Sequence, residues 1–151
     1  MNLDDTDRKI LNVIQQDSNI ALARLAEMVG MSQTPCWKRV KKMEDAGIIT
    51  GRVALVDREK VGLGVTVFVS VRTNQHEEKW LENFSSIIRD IPEVTEFYRM
   101  SGDVDYLLKI ICADIADYDR IYRKMIRSAQ MGDVSSSFAM EQIKYTTAIP
   151  L

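Results

Sequence analysis

The chain has 151 residues, of which 46% are apolar and 28% charged, and a formal net charge of -2. This composition excludes a disordered chain, and the absence of any run of about 18 apolar residues excludes a sequence-evident membrane helix. The slight negative charge also excludes a protein that coats nucleic acid by bulk charge. The charge is evenly spread: residues 1–57 hold eight basic and eight acidic side chains, and residues 58–151 hold twelve and fourteen. Any nucleic-acid affinity must therefore come from a local patch.

A chain of this size accommodates one medium domain or two small ones. It opens on MNLDDTDRK, acidic where a secretory signal is basic and then apolar, so the cytoplasm is the expected compartment. Cys36 and Cys112 lie far apart and His76 is the only histidine. Neither a disulfide nor a metal site is expected from that inventory.

The first predicted helix runs from Asp4 or Asp5 to Gln16. Asp4, Asp5 and Asp7 suit its positive end, and Ile10, Leu11, Val13 and Ile14 form its apolar stripe. The second spans about Leu22 to Met28, with Leu22, Leu25, Ala26 and Val29 inward. Ile20 and Ala21 stand where a capping side chain is usual. Ser32 is a plausible N-cap for a third helix, Pro35 falls in its first turn, and Gly47 ends it.

Spacing on that third helix turns Cys36, Val40 and Met43 inward and Gln33, Thr34, Trp37, Lys38 and Lys41 outward. Lys38, Arg39, Lys41 and Lys42 follow one another with no acid before Glu44. Two helices joined by a short turn, the second polar and basic outside, form a helix-turn-helix. Gln33 and Thr34 suit base edges, while the cations suit phosphates or guanines. Plainer roles stand beside these: Trp37 as a packing residue, the basic run as a solvated face, and Arg39 paired with Glu44 or a domain-interface acid.

From Ile48 to Asp57 the alternation of Ile49, Val53 and Leu55 predicts a strand, either a small wing or one reaching toward the next domain. These residues complete a first domain, 1–57. Residues 58–62 form a linker, and Gly62 and Gly64 read as flexibility there, without the third glycine of a dinucleotide site.

Residues 63–151 change pattern. Val65–Val71 is a β-branched strand, and Trp80, Leu81, Phe84, Ile87 and Ile88 mark a helix that stops before Pro92. Val94–Met100 and Tyr106–Ala113 are strands around a Ser101-Gly102-Asp103 turn. Ile115, Tyr118, Ile121, Tyr122, Met125 and Ile126 define another helix, and Val134–Ile143 a last strand. The order βαββαβ is the ferredoxin-like arrangement, with both helices on one face of a four-stranded sheet. The chain is thus α+β. Apolar Val67, Val69, Val71, Phe68, Leu108 and Ile110 suggest two apolar sheet faces, and a second copy is the economical cover.

Catalytic groups are scarce. Asp103 and Asp105 are too few for a hard metal, and fit turn hydrogen bonding or anchoring of a small ligand's amino group. Ser135, Ser136 and Ser137 lack a histidine partner. No enzyme, metal or cofactor is expected.

The segments LDDTDRKIL (Leu3–Leu11), LAEMVGMSQTPCWKRVKKMEDAGII (Leu25–Ile49), SGDVDYLLKI (Ser101–Ile110) and the terminal FAMEQIKYTTAIP occur here in one order. In them the chain resembles the leucine-responsive regulator / asparagine synthetase regulator (Lrp/AsnC) family from Leu3 to Pro150. The resemblance implies a winged or wing-like helix-turn-helix whose DNA-contacting positions are Ser32, Gln33, Thr34, Trp37, Lys38, Arg39, Lys41 and Lys42. It implies a C-terminal domain that pairs into dimers and assembles to octamers or related rings. A small amino acid effector is implied between dimers, with Gly102, Asp103 and Asp105 at the matching positions and Ser136 contributing. Cys-Trp-Lys-Arg in the third helix and Met-Glu-Gln-Ile-Lys-Tyr-Thr-Thr near the end resemble the cysteine-responsive subgroup. The implied partner is double-stranded DNA carrying a roughly palindromic operator. A protein-binding or architectural module without effector response is the alternative.

Overall fold

The computed structural model describes every residue except 1, 75–77 and 129–130, and the side chains of all described residues but Glu78 and Ser128. His76 lies outside them. The elements are α1 (Asp5–Ile14), α2 (Leu22–Met28), α3 (Gln33–Asp45), β1 (Val65–Arg72), α4 (Glu78–Arg89), β2 (Val94–Arg99), β3 (Tyr106–Cys112), α5 (Ile115–Ser128) and β4 (Asp133–Phe138). They fall into two compact units. The first is Met1–Leu55 with Ile143–Leu151, and the second is Val56–Gln142. The C-terminal nine residues, expected in the second domain, thus group with the first.

In the first unit, α1 begins with a reciprocal cap: Asp4 accepts from the Asp7 N–H at 2.8 Å, and Asp7 accepts from the Asp4 N–H at 3.2 Å. Two otherwise orphaned donors are satisfied in this way. The core is Ile10, Leu11, Ile14, Leu25, Ala26, Cys36, Val40 and Met43. It follows the 3.6-residue period of all three helices. Gly30, at φ 71°, follows α2, and the Met31 N–H reaches back to the Ala26 carbonyl at 2.9 Å. Gly47, at φ 69°, ends α3 likewise, with Ile48 N–H on the Met43 carbonyl. Both left-handed positions favour glycine, and Gly30 sets the turn that separates α2 from α3.

Three local expectations are corrected. Ser32 occupies the N-cap of α3, yet its side chain makes no capping hydrogen bond. Residues 48–57 form no strand, hence no wing. Val53, Leu55 and Val56 are exposed, and no neighbouring strand among the described residues offers them a ladder, which a strand requires. Arg39 turns not to Glu44 but to Asp4 and Asp7 of α1, and Glu44 binds Arg52 at 2.9 Å instead.

The second unit is a four-stranded antiparallel sheet of order β2-β3-β1-β4. Val67, Val69, Val71, Tyr106, Leu108, Ile110 and Cys112 point to one face and are packed under α4 and α5 with Phe84, Ile88, Tyr118, Ile121 and Met125. Leu108 and Ile110 are therefore core residues on the helix side, not evidence for a second apolar face. The period-2 alternation leaves Phe68, Ser70, Arg72, Leu107, Lys109 and Ile111 on the other side. β4 ends at Phe138 rather than Ile143. Its last registered partner is Val67, and among the described residues the chain beyond makes a single backbone–backbone bond, Ala139 N–H to the Thr66 carbonyl.

Candidate nucleic-acid interface and effector face

The exposed side of α3 is defined by what its other side buries. With Cys36, Val40 and Met43 committed to the core, Gln33, Thr34, Trp37, Lys38, Lys41 and Lys42 are exposed, as is Ser32 before the helix. Their electrostatic states differ. Lys41 is tied to Asp45 one turn on, at 2.9 Å, and that carboxylate raises its pKa. Among the described residues, Lys38 and Lys42 pair with no carboxylate. Trp37 is 53% exposed and walls a hollow of about 280 Å³ with Ser18, Lys41, Glu44 and Arg52.

Arg39 has a different position. Its Nη1 donates to Asp4 Oδ2 and to Asp7 Oδ1, each at 2.7 Å. The Asp7 side chain is only 4% exposed. Asp4 is held below the usual carboxylate range, first by the Asp7 backbone N–H and then by Arg39. The guanidinium thus links the start of α1 to the middle of α3. Sequence reasoning took Asp4 and Asp7 for helix-start acids only; the usable signal was that two acids three apart face one arginine in a short three-helix core.

In the second unit, the turn between β2 and β3 carries Gly102, at φ 120°, and exposed Asp103. Asp105 is built into the sheet: its N–H donates to the Val71 carbonyl at 3.0 Å, and its Oδ2 accepts from the Thr73 N–H at 2.8 Å. This brings the turn to the end of β1, where Arg72 lies opposite Asp133 of β4. There Val104, Ser70, Arg72, Asp133 and Ser135 line a hollow of about 320 Å³. Ser136 is not in that wall. The alternation of β4 turns it to the helix side, where it shares a short hydrogen bond with the Tyr118 hydroxyl, and burial pushes the Tyr118 pKa up. Arg72, Asp133 and Ser70 escaped the sequence reading, which weighed Ser135 only as a nucleophile, although the strand period placed all four opposite Val67, Val69 and Val71.

Neither thiol is poised for chemistry. Cys36 and Cys112 are free and buried, and burial raises both pKa values. Among the described residues no cluster of three or more metal-ligating side chains occurs, and no helix is long and apolar enough to cross a membrane.

A helix-turn-helix unit followed by a ferredoxin-like βαββαβ unit defines a DNA-binding regulator of two functional parts. Comparison with known proteins bears this out. A winged helix-turn-helix DNA-binding family matches residues 3–50, and the Lrp/AsnC ligand binding domain family matches residues 66–149. The chain is 49% identical over 150 residues to the DNA-binding transcriptional activator DecR of Escherichia coli K12, covering 99% of each. It is 47% identical to a glutamate uptake regulatory protein of Zymomonas mobilis, covering 99% of this chain and 91% of that one. Among solved structures, an AsnC family transcriptional regulator from Agrobacterium tumefaciens superposes with a TM-score of 0.95 at 57% identity, covering 98% and 97%. A transcriptional regulator from Neisseria meningitidis in complex with L-Met gives 0.93 at 35% identity, covering 99% and 97%. The chain belongs to the Lrp/AsnC family of transcriptional regulators, a non-catalytic family.

Proposed function

We propose that α3 enters the major groove of double-stranded DNA, with Gln33 and Thr34 at base edges and Ser32, Lys38 and Lys42 on phosphates. Lys41 contributes less because Asp45 shares it, Trp37 packs at the rim, and Arg39 acts by fixing the helix to α1. The observation that carries this is the exposure of two unpaired lysines on a helix whose opposite face is wholly committed to the core. Two copies joined through their sheets give a roughly palindromic operator two grips. The uncovered face supports that pairing with Phe68, Tyr98, Leu107 and Ile111, and dimers assemble further to an octamer or related ring. The protein works in the cytoplasm, where its DNA is.

The effector is a small amino acid, with cysteine the first candidate on the motif resemblance. Support for the class comes from the relative in complex with L-Met and from the hollow beside Gly102, Asp103 and Asp105. There the Arg72 guanidinium suits an α-carboxylate and Asp133 an α-ammonium. Ser136 contributes by holding β4 to α5 through Tyr118. The effector acts by its differential affinity for two assembly states.

A dimer presenting two unpaired lysines per helix neutralises about four phosphates, so log K against log salt falls with a slope of about -3.6. Gel shifts on genomic fragments across a salt series test this. A slope near zero overturns it in favour of a protein-binding module. Titration of cysteine, methionine and leucine, read as oligomer mass and operator affinity, tests the effector; no response to any amino acid removes it.

A further inference from the structure

The C-terminal segment meets the first unit at the side chain of Gln15. The Ile149 N–H donates to Gln15 Oε1 at 2.7 Å, and Gln15 Nε2 donates to the Ile149 carbonyl at 3.2 Å. A carboxamide used this way imitates a neighbouring strand: it satisfies a donor and an acceptor of the same backbone residue and reads main chain, not side chain. Burial does little of the holding. Ile143 is 89% exposed, Tyr145 61% and Ile149 63%, with Leu151 at 38% the least exposed of the segment's large apolar side chains. Gln15, at the C-terminal end of α1, is thus a point at which the backbone of the segment is gripped in both directions.

This grip matters because of where the chain runs. The units are Met1–Leu55 plus Ile143–Leu151, and Val56–Gln142. The chain therefore passes between them twice, once after Leu55 and again after Gln142. At its origin the segment leaves β4, which Ser136 and Phe138 tie to Tyr118 of α5. At its destination it meets α1, whose Asp4 and Asp7 hold Arg39 of α3.

We propose that residues 143–151 are a strap that limits reorientation of the DNA-binding unit, with Gln15 its positioning residue. The inference rests on the DNA-binding reading above. A unit on one linker rotates to meet half-sites at many separations. A unit attached at two points keeps the spacing of its recognition helices, and thereby discriminates operators by helical phase.

The test uses the full chain and two substitutions on opposite partners, Gln15→Leu and Ile149→Pro, neither in the DNA-contacting surface. A footprinted operator is compared with the same operator lengthened by about half a helical turn, ~5 bp, between its half-sites. The wild-type chain is expected to bind the lengthened site at least about tenfold more weakly, and both variants less than about threefold more weakly. Retention of the wild-type ratio by both variants overturns the proposal. Hydrogen exchange without DNA supplies an independent reading: the Ile149 amide is expected to be protected in the wild type and to exchange at least about tenfold faster in Gln15→Leu. An unprotected Ile149 in the wild type also overturns the strap. A protected Ile149 in a chain that binds no genomic fragment overturns the DNA-binding reading instead.

Discussion

Replacement of Asp7 by alanine probes whether the recognition helix is fixed by an ion pair to α1 rather than by apolar packing alone. Asp7 is buried, accepts from Arg39 at 2.7 Å, and closes the capping box by accepting from the Asp4 N–H at 3.2 Å. A charge-assisted hydrogen bond contributes about 1.5–3 kcal/mol. The lower end applies here because Arg39 is 35% exposed and recovers water when its partner is removed. Loss of half a capping box adds about 0.5 kcal/mol. The first unit should therefore lose about 2 kcal/mol. Urea unfolding followed by Trp37 fluorescence, in a Trp80→Phe background so that only the first unit reports, measures it. A double-mutant cycle with Arg39→Ala should give a coupling of about 1 kcal/mol. A loss below about 0.5 kcal/mol with no coupling would refute the argument and leave packing as the sole constraint on α3.

Further outcomes follow from the same geometry. Lys38→Ala should weaken DNA binding and flatten the salt slope by about 1.8 for a dimer, one phosphate per protomer, with oligomer mass unchanged; a changed mass would mean that the side chain belongs to an assembly contact. Native protein at pH 8 should leave Cys36 and Cys112 unmodified by a thiol reagent, because burial raises both pKa values, while urea should expose both; rapid native labelling of either would contradict the packing. Arg120 lowers the Glu93 pKa by its hydrogen bond. A depressed carboxylate stabilises the fold above its unfolded value, 4.5 for the reference glutamate, and loses that contribution as pH falls through the lowered folded value. Arg120→Ala should thus be less stable than wild type at pH 7, with the gap closing below about pH 4.5 in acid unfolding series. A gap constant with pH would assign the loss to packing instead.

Much of this protein was legible in its chain. The three helices, the βαββαβ order and both cores follow from periodicity, since a residue's place on a helix or strand fixes its face before any partner is known. The Gly47 helix end was likewise a local matter of backbone freedom. The Ile48–Asp57 strand failed because alternation supplies a pattern, whereas a strand needs a neighbour to bond. Ser32 had the identity of a cap but not its hydrogen bond. The basic run was readable as composition, yet its division into exposed Lys38 and Lys42, shared Lys41 and inward Arg39 depended on where Asp45, Asp4 and Asp7 came to lie.

The linear order of residues determined which side chains are hidden and which elements exist, because burial and local propensity act over a few neighbours. Tertiary structure alone decided the long-range pairings: Arg39 with acids 32 and 35 positions away, and Gln15 with a backbone 134 positions away. It also decided that Ser136 turns toward Tyr118 while Ser135 joins Arg72 and Asp133. A hydrogen bond requires two groups within about 3 Å, and only the folded chain sets that distance for residues so far apart in sequence.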